Sequence, residues 1–408
     1  MGKLPGWVYE LAEKILTESI KYPTVLGNHY KEIVDYYADI LKEYGIHVTV
    51  HKVPDEYVRK TLPPQMNPDK PRYILLARIG SGEKTIQFNG HYDVVGPGGK
   101  WSITDAFTPK KVDNKIYGRG ATDMKGGIAA SLAAMAYLAS TKEPREHVIE
   151  AALVPDEEIG GITGTGYLVN ELGSRPDWVI IAEPSSLESI WIGHKGALWV
   201  EVVVKGKQTH GSTPWLGVNA FEKMVDVAKY LIEKVKPVIE SRKSKYAYDM
   251  PESAKPTMAL GGRLTAPGNI NIVPGEVSFS IDRRIIVEES VEEVEKELLS
   301  YINEAAKCAK ADVVPKIVLR FEPALTDPKT PLVQTLTNVV KKNIGVEPRK
   351  IVCTGGLDLR YYTSKGIQTI AYGPGTPERA HIVDEYIDVD SLFKAIDIYV
   401  DIARITPR

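Results

Sequence analysis

This 408-residue chain has only two cysteines, Cys308 and Cys353, too few for a disulfide framework. They sit in unlike contexts, so the expected setting is reduced and cytoplasmic. Long apolar runs are also missing. The longest, 148–155 and 178–182, fall far short of the roughly 20 residues that span a bilayer. The opening MGKLPGWVYELAEKIL has neither the apolar centre nor the cleavage site of a secretory signal. It reads as an amphipathic helix with Pro5 near its start. Charge of one sign is not concentrated anywhere: 51 basic residues face 53 acidic ones, for a net charge of −2. That balance argues against a nucleic-acid or membrane partner. What is present is ordinary globular material, 43% hydrophobic, enough for a sizeable core. The length suits two or three domains, or one large domain carrying an insertion.

Apolar spacing predicts helices over 5–20 and 28–44 and a strand over 46–53. A proline-rich surface loop is expected around Pro63, Pro64, Pro68 and Pro71. Strands over 73–79, 85–89, 148–154 and 178–182 alternate with a small-residue helix over 126–139 and another near 163–172. This α/β alternation predicts a sheet covered by helices. The pattern changes after His194-Lys195-Gly196. Strand 197–206, helix 217–236, strands 256–264 and 276–286, helix 289–309 and strand 313–320 follow. That β-α-β-β-α-β order is ferredoxin-like. Alternation resumes through 331–345, 367–372 and 390–404. The expected organisation is an α/β domain in two parts, 1–194 and 322–408, split by an α+β insertion at 195–321.

Acids and histidines recur at the ends of the apolar runs: His91-Tyr92-Asp93, Asp123, Asp156-Glu157-Glu158, Glu183 and His381. Residues i and i+2 of an extended chain point the same way. Asp93 can therefore hold the His91 ring N–H and set its tautomer for a metal, or the pair is an ordinary loop. Asp123, in GRGATDMKGG, has two oxygens that could bridge two metals, or it caps the helix that follows. Adjacent acids at 156–158 repel unless cations compensate. One glutamate there could ligate while its neighbour handles a proton, or the three form a solvated acidic loop. Glu183 ends a strand and wants a metal or an arginine. Glycines at 160–166 lack the GxGxxG spacing of a dinucleotide site. In the insertion, His210, Asn271 and Arg284 stand out; arginine binds carboxylates by two parallel hydrogen bonds. Together these residues suit a pair of divalent ions with a base beside them.

In this order, the motifs resemble the M20 metallopeptidases, a family that includes acetylornithine deacetylases, succinyl-diaminopimelate desuccinylases and carboxypeptidase G2-like enzymes. The resemblance covers nearly the whole chain. It implies a zinc-peptidase-like α/β/α catalytic domain with an inserted ferredoxin-like lid that dimerises. It further implies that His91, Asp123 and Glu183 bind one zinc and that Asp123, Glu158 and His381 bind a second, with cobalt or manganese as alternatives. Asp93 would orient His91, Glu157 would be the general base, His210 would reach a partner subunit's site, and Asn271 and Arg284 would bind substrate. A cis peptide is expected at Asp123-Met124. Leu357 stands where the family commonly has a hydroxyl residue, and the loop 57–72 is longer than in compact members. The implied reaction is hydrolysis of an N-acyl amino acid with a free carboxylate, by a deacetylase or desuccinylase. The alternatives are a metallocarboxypeptidase or dipeptidase, or a non-catalytic binding protein on the same fold.

Overall fold

The run HVIEAALV forms strand His147–Val154, buried along almost its whole length, as a strand covered on both faces must be. In the computed structural model, which describes residues 3–141, 143, 147–405 and 407, this strand lies inside a mixed sheet. The strand order is His47–Lys52, Tyr73–Ile79, His147–Val154, Lys84–His91, Trp178–Ile181, Gln368–Ala371 and Ser189–His194. The middle four run parallel, and their flanking neighbours are antiparallel. Register sets His91 beside Val154 and Asn89 beside Ile181. The carboxyl ends of the parallel strands therefore share one edge, where ligands bind in open α/β sheets.

The chain divides into two compact units. The first comprises Met1–Ile192, Thr326–Ile351 and Leu357–Arg408, and the second Gly193–Leu325 with Val352–Gly356. In the first unit, the alanine-rich helix Lys125–Thr141 is buried nearly all round and packs against helices Gly6–Ile20 and Val389–Ala403. Alanine has the highest helix propensity and the least bulk. Gly127 allows a closer approach still: a Cβ there would lie 1.9 Å from the Ala182 carbonyl oxygen. That backbone contact draws the start of the helix, just after Asp123, towards the segment carrying Glu183.

The second unit has its own sheet, ordered Thr257–Thr265, Glu276–Ile285, Gly196–Lys205 and Asp312–Phe321, with every pair antiparallel. Helices Ala220–Tyr230 and Val291–Ala309 pack against it around a core that includes Val200, Val202, Phe279 and Leu298. This arrangement is ferredoxin-like.

Several expectations are corrected. The single helix over 217–236 is three pieces: Ala220–Tyr230, a π-helical turn Leu231–Val235, and Lys236–Glu240. Pro237 has no N–H to continue an α-helical ladder. The proline-rich region is not merely a surface loop, because Asp55–Thr61 is helical and Pro64–Met66 forms a 3-10 turn. Strand Ser189–His194 and a three-stranded sheet of Lys110–Val112, Lys115–Tyr117 and Tyr386–Asp388 were not anticipated. Runs this short carry little periodicity. No helix among the described residues is long and apolar enough to cross a membrane.

Candidate metal centre

The acids and histidines of the first unit gather at the shared strand edge. His91 is the last residue of its strand, and Glu183 lies two residues beyond Trp178–Ile181. Glu157 and Glu158 open the turn Glu157–Ile159 just past Val154. Asp123 immediately precedes Met124 and helix Lys125–Thr141, and the Asp123-Met124 peptide is cis. His381 sits between the turn Pro377–Arg379 and strand Tyr386–Asp388.

These residues form two groups that share Asp123: His91, Asp123 and Glu183, and Asp123, Glu158 and His381. Within each, one donor atom per residue lies within 4.8 Å of the others. His91 Nε2 is 3.1 Å from Asp123 Oδ1 and 3.7 Å from Glu183 Oε1. His381 Nε2 is 3.2 Å from Asp123 Oδ2 and 3.0 Å from Glu158. The two Asp123 oxygens thus face different histidines. Imidazole nitrogen with carboxylate oxygen suits zinc and its first-row neighbours. Glu183 Oε1 is buried without a hydrogen-bond partner, a costly state for a carboxylate that a cation relieves. The residues therefore fit divalent metal.

Electrostatics agree. Burial, reinforced by neighbouring carboxylates, pushes Glu157 and Glu183 well above the ordinary carboxylate range. Burial and the nearby Asp123 push Glu158 up to about 7. Hydrogen bonds to Asp123 and Glu158 raise His381 to about 10. Below those values Glu158 and His381 hold protons that must leave before either can ligate. Zinc affinity should therefore rise with pH, by about tenfold or more per unit between pH 5.5 and 7. Zinc added to metal-free protein at pH 6 should release protons to an indicator dye. A pH-independent affinity would contradict this picture of the site.

Supporting residues hold the donors in place. His91 Nδ1 is 3.0 Å from the main-chain carbonyl of Asp93 and 3.5 Å from its carboxylate. With Nδ1 donating, Nε2 turns its lone pair towards Asp123 and Glu183. The Asp93 carboxylate meanwhile accepts the N–H groups of Glu157 and Glu158, each at 3.2 Å. One residue thus links the histidine to the turn bearing both glutamates.

Sequence reasoning missed two buried ion pairs. Asp156 belongs to neither donor group; its counter-charge is Arg72, whose Nε donates at 2.6 Å. Tyr30 and Thr163 donate to the same carboxylate at 2.8 and 2.5 Å. The proline-rich segment wraps the Arg72 guanidinium, which also donates to the carbonyls of Met66, Asn67 and Lys70. On the other side, Arg119 donates to Glu385 at 2.6 Å. Glu385 in turn accepts the N–H groups of Thr122 and Asp123 at 2.9 and 3.1 Å. Glu385 follows His381 by four residues, so it ties the Asp123 turn to the His381 loop. Arg119 stands inside the motif GRGATDMKGG quoted above, but a charged residue in a motif does not announce its partner.

In the second unit, His210 and Asn271 come together. Strand Thr209–His210 pairs with Ile272–Val273, and Gly211 N–H donates to the Asn271 carbonyl at 2.8 Å. The exposed His210 ring meets Ser212 Oγ at 2.7 Å. Arg284 lies on a different strand and pairs with Asp282 at 3.0 Å. Leu357, in the first unit, is buried.

Several known proteins are similar to this chain over most of its length. A probable succinyl-diaminopimelate desuccinylase of Staphylococcus epidermidis is 26% identical over 419 residues, covering 96% of each chain. A succinyl-diaminopimelate desuccinylase of Acidovorax ebreus is 31% identical over 336 residues, covering 79% of this chain and 81% of its own. Among solved structures, an M20 family metallo-carboxypeptidase from Sulfolobus solfataricus superposes with a TM-score of 0.74 at 20% identity. It covers 97% of this chain and 99% of its own. Residues 87–405 match the family described as peptidase family M20/M25/M40. The chain belongs to that family and is a metal-dependent hydrolase.

Proposed function

We propose that the protein hydrolyses the amide bond of an N-acyl amino acid bearing a free carboxylate. The observation that carries this reading is the pair of donor groups sharing Asp123, with Glu157 a member of neither but in electrostatic reach of His91 and Glu183 in one and of Glu158 in the other. His91, Asp123 and Glu183 would hold one divalent ion, and Asp123, Glu158 and His381 would hold a second. Zinc is the first choice, and cobalt and manganese suit the same donors. The bound ions polarise a carbonyl and lower the pKa of water.

The chain's own residues do the rest. Glu157 takes a proton from the attacking water and passes it to the leaving nitrogen. Water is added across the C–N bond, giving a carboxylic acid and a free amino acid. Asp93 keeps His91 and the glutamate turn in register. His210 donates to the developing oxyanion, a contact typically worth about 10²–10³ in rate. Arg284 pairs with the substrate carboxylate, and Asn271 lines the same subsite. His210 acts in the partner's site of a homodimer built through the second unit. Support for that dimer comes from the edge strands Thr257–Thr265 and Asp312–Phe321 and from the exposed Trp215, Leu216 and Phe221.

The test is a panel with zinc-loaded protein: N-acetylornithine, N-acetyl-lysine, N-succinyl-diaminopimelate, and blocked dipeptides with free C-termini. At least one of the N-acyl amino acids should be cleaved, and its methyl ester should lose about 100-fold or more in kcat/KM, because the ester cannot form the paired, charge-assisted hydrogen bonds that Arg284 offers a carboxylate. Cleavage of the dipeptides alone would make the enzyme a carboxypeptidase. Silence on the whole panel with metal bound would refute the proposed reaction.

A further inference from the structure

Beside the donor groups lies a cavity of about 200 Å³. Three segments of the first unit wall it: 25–30, 93–96 and 156–159. Glu158 stands both in this wall and in a donor group, so the cavity adjoins the Asp123, Glu158 and His381 group. The accessible wall is aliphatic, made by the part-buried Val25, Leu26, Val95 and Ile159. Its polar groups are already engaged. Asp156 is filled by Arg72, Tyr30 and Thr163. Asp93 accepts two main-chain amides, and Glu158 faces His381. No lysine or arginine is among the described lining residues.

We propose that this cavity is the acyl subsite and that it selects a compact apolar acyl group over a carboxylate-bearing one. The inference rests on the amide-hydrolase reading above and names the substrate class of that same site. A space of that size suits a short branched chain such as isovaleryl. A succinyl tail would bring a second carboxylate against Asp93, Asp156 and Glu158, with Arg72 already committed to Asp156 and His381 to Glu158, which disfavours the charged form. This sets the chain apart from its relatives named as desuccinylases.

The test separates binding from turnover. Zinc-loaded protein is titrated calorimetrically with acetohydroxamate, isovalerohydroxamate and succinyl monohydroxamate, which carry the same metal-binding head. Each buried methylene is worth about fourfold, so isovalerohydroxamate should bind about 50-fold tighter than acetohydroxamate. The succinyl compound should bind more weakly than isovalerohydroxamate by about 100-fold or more, for want of a partner for its charge. Val95→Phe fills the cavity, and the isovaleryl-to-acetyl ratio should collapse towards one; Val25→Phe fills it from another wall should the first variant fold poorly. A flat series, tightest binding of the succinyl compound, or no hydroxamate binding to zinc-loaded protein overturns the subsite. If the hydroxamate ladder holds while every amide resists hydrolysis, the proposed reaction fails and the subsite stands.

Discussion

Glu157→Gln is expected to bind metal as the wild type does and to lose turnover by about 10³–10⁴-fold, the upper range for removing a general base. Glutamine keeps the shape of the side chain but cannot take a proton. Glu157 belongs to neither donor group, so its replacement leaves both ligand sets complete. Its backbone N–H still donates to Asp93, so the turn has no reason to move. The measurements are zinc content by elemental analysis and kcat on the best substrate of the panel. Near-normal kcat would remove Glu157 from proton transfer. Loss of metal would make it a ligand and reassign the site.

Arg72→Met is expected to cost about 3–5 kcal/mol of stability, the penalty for stranding one partner of a buried ion pair. Arg72 and Asp156 are almost wholly inaccessible, with side-chain exposures of 0% and 1%. The substitution leaves Asp156 charged in the interior and removes the donor shared by three loop carbonyls. For a unit of this size the melting temperature should fall by roughly 5–9 °C. The double variant Arg72→Met/Asp156→Asn should regain part of the loss, because the uncompensated charge goes with its partner. Asp156 directly precedes Glu157, so metal affinity should weaken in the single variant as well. Denaturant unfolding of the zinc-free proteins checks the first effect, and zinc titration the second. A cost under about 1 kcal/mol, the scale of an exposed pair, would mean that Arg72 is solvated in solution.

The sequence by itself determined the class of the protein. Apolar runs of strand length, each ending in an acid or a histidine, could be read as a sheet edge that collects metal ligands. Such a signal is local: a run and its terminal residue lie within ten positions of each other. The β-α-β-β-α-β order of the second unit was legible for the same reason, since each element declares its own period. Resemblance supplied the pairing of ligands into two sets, which no spacing along the chain could have provided.

Only the tertiary structure decided which charges neutralise which. Asp156, Glu157 and Glu158 are adjacent and chemically alike, yet one meets Arg72, one stands free beside the donors, and one faces His381. Arg72 lies 84 residues from Asp156, and Glu385 lies 266 from Arg119. A strand period determines which face a side chain occupies, but not which distant cation shares that face. That choice follows from sheet order and from the close backbone approach at Gly127, which bring the Asp123 turn to Glu183. The same packing turned the proline-rich segment into a cradle of carbonyls for Arg72 and left an aliphatic cavity beside Glu158. Neither has a sequence signature, because each is made by residues that become neighbours only when the chain folds.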